Sequence, residues 1–158
     1  MSCGVTLAIA LMMSNPAIAE AAAVPAPVAG VPVAISGEPL FADIVARSTA
    51  LRSIVEMQIR TGLAERTDFV TSEQFSRVRR EAEALAELDM QGHVILEERG
   101  TDGDLKCILR GISEDLPKKI ADIEAASSPA LRAVALAELS YLLDDNAAVI
   151  TAPPQPPV

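Results

Sequence analysis

The chain has 158 residues, half of them hydrophobic but only 3% aromatic, and it carries a net charge of −9. That length suffices for one domain with its own core. The acidity, with no basic stripe to offset it, argues against nucleic acid as a partner, because a phosphate backbone is repelled by such a surface.

The first stretch, residues 1–19, has an apolar run from Val5 to Met13, then Pro16 and Ala17-Ile18-Ala19. Small residues at −3 and −1 fit the signal-peptidase pocket, and a proline ends the apolar helix just before it. The expectation is a secretory signal peptide cut after Ala19, which delivers the protein to the periplasm of a bacterium or beyond. No Lys or Arg precedes the run, although a positive n-region is usual; we read Met1 as an internal methionine. The rival is an uncleaved N-terminus that anchors the chain to the inner membrane, but the run falls short of the roughly 20 apolar residues of a spanning helix. With an upstream start, Cys3 becomes a candidate for lipid attachment.

Residues 20–40 are rich in Ala, Val, Pro and Gly. The prolines forbid a continuous helix and nothing alternates, so the segment reads as an extended linker. A domain is expected over about 41–150, and residues 151–158, with Pro153-Pro154, form a Pro-rich polyproline-like tail.

Within 41–150 the pattern is helical four times over. Phe41, Ile44, Val45, Leu51, Ile54, Val55 and Ile59 share one broad face, and Gly62 follows as a stop signal. A second helix opens at Thr71, with Gln74 three residues on as in a capping box. Its stripe is Phe75, Val78, Ala82, Leu85, Asp89, Gly92 and Leu96. Gly92 inside it costs about 1 kcal/mol relative to Ala. After the turn Gly100-Thr101-Asp102-Gly103, a third stripe runs through Leu105, Ile108, Leu109, Ile112, Leu116, Ile120 and Ile123. Pro117 should kink or split that helix near Glu114. The fourth starts at Ser128-Pro129, an N-cap followed by proline at the first helical position. It is apolar nearly all round, through Leu131, Val134, Leu136, Leu139, Leu142 and Leu143, which places it at the centre of the domain. Short connections make neighbours antiparallel. The fold class is therefore all-α, an antiparallel bundle of about four helices. A β-hairpin pairing His93–Leu96 with Cys107–Leu109 is the competing parse.

Chemistry is sparse. The single histidine, His93, cannot supply a di-iron bundle, a zinc cluster or a triad with a recognisable nucleophile. No Gly-rich phosphate loop exists. No metal, cofactor or catalytic residue is assigned, and the protein is read as not an enzyme. The one unusual feature is Asp89 on the apolar stripe with His93 one turn on. If they pair, Asp89 titrates low and His93 high. The simpler reading leaves the Asp89 carboxylate in water at the edge of the stripe. Cys107, the one cysteine after cleavage, projects opposite its stripe; free cysteines are so commonly buried that a second buried face is expected. Exposed, Cys107 becomes an intermolecular thiol and a route to a homodimer. Arg77, Arg79, Arg80, Glu81, Glu83 and Glu87 form a solvated face. These features lead to a non-enzymatic interaction or structural protein of the cell envelope with a protein partner. The alternative is a small-ligand binder using the interior near Asp89 and His93. An interior site calls for a cavity, whereas a docking protein calls for an exposed apolar patch.

Overall fold

The computed structural model describes residues 35–100 and 103–152. The segment read as a signal peptide, most of the stretch read as a linker, the centre of the turn after Gly100 and the Pro-rich tail lie outside the described residues. Four helices make up the bundle: α1 (Pro39–Arg60), α2 (Glu73–Arg99), α3 (Gly103–Ala125) and α4 (Pro129–Thr151). There is no strand among the described residues, so the hairpin does not form; His93–Leu96 and Cys107–Leu109 belong to α2 and α3.

The domain begins earlier than the linker reading allowed. Ile35–Gly37 form a 3₁₀ turn with Ile35 buried, and Pro39 opens α1. A proline at the first helical turn lacks only an N–H that would be unpaired anyway, so it starts a helix instead of breaking one. Glu38, just before it, takes a bidentate pair of hydrogen bonds from Arg99 at the end of α2, at 2.9 and 2.8 Å. α1 stops before Gly62, whose φ of +71° no β-carbon-bearing residue adopts comfortably. Two 3₁₀ turns, Leu63–Glu65 and Phe69–Thr71, then lead to α2.

The cap of α2 is Ser72, one residue later than the capping box predicted. Its hydroxyl oxygen accepts from Phe75 N at 3.2 Å, while Thr71 turns back to Asp68 O. Gly100, at φ +65°, ends α2. α3 runs unbroken through Pro117. Proline removes one backbone bond, but Ile112, Leu116, Ile120 and Ile123 are all buried on one face and hold both halves to the same neighbours. At the start of α4 the Ser128 hydroxyl oxygen accepts from Leu131 N at 3.2 Å, as its sequence implied.

Each helix packs on its neighbours in sequence, and α4 closes the ring on α1. The pairs Arg52–Asp144 and Glu56–Ser140 step in opposite directions along α1 and α4, as antiparallel helices require. The core is built from Phe41, Ile44, Phe75, Leu85, Leu109, Leu116, Leu136 and Leu139, with others of their stripes. The centre belongs to no single helix. α4 buries Leu136, Leu139, Leu143 and Ile150, whereas Leu131, Val134 and Tyr141 stand in solvent. Among the described residues no helix is long and apolar enough to cross a membrane.

Candidate functional site

Asp89 is where the stripe of α2 put it, on the buried face, and its side chain is 0% exposed. The reading of a carboxylate in water at a stripe edge is therefore wrong. The partner also differs from the one expected. Asn146 of α4 donates from Nδ2 to Asp89 Oδ2 at 2.9 Å and to Ser48 Oγ of α1 at 3.2 Å. Ser48 and Asn146 are both 0% exposed. Asp89 Oδ1 and Asn146 Oδ1 receive no hydrogen bond.

His93 lies on the same buried side but turns to other groups. Its Nδ1–H donates to the Lys106 carbonyl oxygen of α3 at 2.8 Å, and Nε2 sits 3.6 Å from Glu97 Oε2. Among the described hydrogen bonds and ion pairs none joins Asp89 to His93. A neighbouring helix offers each side chain a partner, and these interhelical contacts replace the intrahelical pair. The electrostatic consequence is also reversed. With no cation beside it among the described residues, burial pushes the Asp89 carboxyl up to about 8, against the lowering effect of the Asn146 hydrogen bond.

The packing here is close. A β-carbon on Gly92 would lie 3.1 Å from Leu109 Cδ1 and 3.2 Å from Phe41 Cε1. A hollow of about 190 Å³ exists elsewhere, on the surface beside the connection from α1 to α2, lined by Leu63, Arg66, Phe69, Ser72 and Glu73. No cluster of three or more His, Cys, Asp or Glu suited to a metal occurs among the described residues.

Arg132 was missed as a structural residue. It is buried on α4, donates from Nη1 to the carbonyls of Ala64 and Arg66 at 2.9 and 2.8 Å, and stacks its guanidinium 5.8 Å from the Phe69 ring centroid. It thereby ties the α1–α2 connection to the start of α4. Cys107 is exposed on α3, so the buried-face reading fails.

The outer side of α4 is the other unusual surface. Leu131 is 55%, Val134 56% and Tyr141 68% exposed. Ala130, Ala137 and Ala148 are exposed alongside them. The charged residues of α4 on this side are Glu138, Asp144 and Asp145; Glu138 pairs with Lys119 of α3 and Asp144 with Arg52 of α1, while Arg132, the only cation of the helix, is buried. No family of known proteins matches the chain, and no curated protein or solved structure does either.

Proposed function

We propose that the protein is a non-enzymatic interaction protein exported to the bacterial cell envelope, and that it docks a protein partner on the outer face of α4. The carrying observation is the exposed row Leu131, Val134 and Tyr141 on a helix whose opposite side is already buried in the bundle. Large apolar side chains in water are tolerated singly, but several along one side of a helix, with Ala137 between Val134 and Tyr141, suit a protein contact, and tyrosine favours such places because it is large, rigid and amphipathic. Beside this row Glu138 and Asp144 are already paired with Lys119 and Arg52, which leaves Asp145, and the chain as a whole carries −9. The complementary partner is an amphipathic segment with an apolar face and basic flanks. The alternative, a small-ligand site in the interior near Asp89 and His93, draws no support from the tight packing around Gly92.

The test is a photo-crosslinking amino acid at Tyr141 in the native host, with Glu83 on the exposed face of α2 as control. An adduct of fixed mass at Tyr141 and not at Glu83, lost when Val134→Asp is added, is the expected result. Equal labelling at both positions, or none at either, overturns the reading. Adduct mass separates a second copy from a different protein. The compartment is checked on its own: mature protein should begin at Glu20, and sequencing that returns Met1 on soluble material defeats the export.

A further inference from the structure

Three polar side chains from three helices meet inside the bundle: Ser48 of α1, Asp89 of α2 and Asn146 of α4. The amide of Asn146 uses both of its N–H bonds, one on Asp89 Oδ2 and one on Ser48 Oγ. Two oxygens are left without a donor, Asp89 Oδ1 and Asn146 Oδ1, and both belong to the same contacting pair. With Asp89 ionised, both orphans are acceptors, and a full charge is buried with one amide as its support. Each feature opposes folding. A single proton on Asp89 Oδ1 relieves both. It cancels the charge and turns that oxygen into a donor, and the acceptor lacking a donor on the partner is Asn146 Oδ1.

We propose that Asp89 is held as a carboxylic acid in a two-bond ring with the Asn146 carboxamide, so that a proton is a structural part of the latch joining α2 to α4. In this ring Asp89 Oδ1–H donates to Asn146 Oδ1, and Asn146 Nδ2–H donates to Asp89 Oδ2. Loss of the proton restores the two orphan acceptors and the buried charge, and loosens the latch.

Among the described residues the anion has no cation beside it, and its one donor is the Asn146 amide. α1 presents the Ser48 hydroxyl, and its Arg47 points outward to Asp43 and Glu81. α4 presents Asn146, while Asp144 is turned to Arg52. α3 presents Leu109 beside Gly92, and Lys106 meets α2 through its carbonyl. On α2 itself, both ring nitrogens of His93 face other groups, Lys106 O and Glu97. The upward shift of the Asp89 carboxyl to about 8 agrees with this.

The sign of the pH dependence follows. The folded value lies above the unfolded one of about 4, so the folded state keeps a proton that the unfolded state has released. The added stability is complete below the unfolded value. It is lost as pH rises toward about 8, and the dependence flattens beyond. Over the window the folding equilibrium constant falls by about tenfold per pH unit.

Asp89→Asn rebuilds the same ring with an N–H donor that does not titrate. Urea unfolding of mature wild type and Asp89→Asn, from about pH 5 to about pH 9, gives the ratio of their folding constants. The expected ratio, variant over wild type, rises with pH by about tenfold per unit and levels near the folded value. A ratio that is flat or falls with pH means that Asp89 is ionised in the bundle, and overturns the proposal. If the variant does not fold, carboxyl-selective ¹³C NMR of wild type decides: one aspartate should titrate far above the rest, and a spectrum with every aspartate titrating near about 4 overturns the latch. Wild-type unfolding in sodium, potassium and choline chloride at equal ionic strength should be the same. A dependence on which cation is present would mean that the two orphan oxygens hold a metal ion, and would also overturn it.

Discussion

At the scale of single residues, Gly92 of α2 sits against side chains of both α1 and α3. Its missing β-carbon lets Phe41 of α1 and Leu109 of α3 approach the backbone of α2. Gly92→Ala should destabilise by about 1–3 kcal/mol through overpacking, despite the better helix propensity of Ala. Gly111→Ala, in α3 where a β-carbon meets nothing within 4 Å, should stabilise by up to about 1 kcal/mol. Urea unfolding of the two variants side by side gives opposite signs if Gly92 is a packing residue. The sequence marked Gly92 as an interruption because propensity is a local property, and the three side chains that meet it, Phe41, Ile44 and Leu109, belong to other helices. Asp89 was legible for the same reason in reverse: it interrupts a stripe of its own helix. Its partners were not, because Ser48 and Asn146 hold stripe positions on α1 and α4 yet have the polarity of surface residues.

At the scale of the element, α4 is the instructive case. Its start was legible in Ser128 and Pro129, which act on the backbone within one turn. Its orientation was not, because apolar residues all round carry no phase. The phase lies in Arg132, Ser140 and Asn146, polar residues on the buried side. Leu139→Ala should cost about 2–5 kcal/mol. Val134→Ala, on the exposed side, should stay within about 0.5 kcal/mol. Equal losses at both positions in thermal or urea unfolding would mean that α4 is covered on both sides. α3 teaches the converse: Pro117 predicted a break that packing on both sides of it overrides.

At the scale of the whole molecule, the bundle class and the four-helix count were readable from periodicity and short connections. The ring closure of α1 on α4 was not, because it joins the two ends of the domain. The ion pairs at the surface, such as Arg66–Asp68 and Lys119–Glu138, are open to water, where solvent screening leaves them little to contribute. Exposed Cys107 makes one intermolecular statement. Mature protein isolated without reductant should give a dimer band on a non-reducing gel, absent in Cys107→Ser. A thiol that resists alkylation until the protein is unfolded would end that idea.

The turn Ile35–Gly37 lies against α4, so the chain enters and leaves the bundle at the same pole. Tension applied through both ends would therefore pull α1 and α4 apart like the teeth of a zip. Contacts would be strained one after another, beginning with those nearest that pole. Ser48–Asn146 would open before Arg52–Asp144, and resistance to force would be that of one contact at a time. The same nearness permits rewiring: joining Ala152 to Ile35 by a short linker and cutting between Ala125 and Pro129 changes the order of the helices along the chain while leaving every helix against the same neighbours.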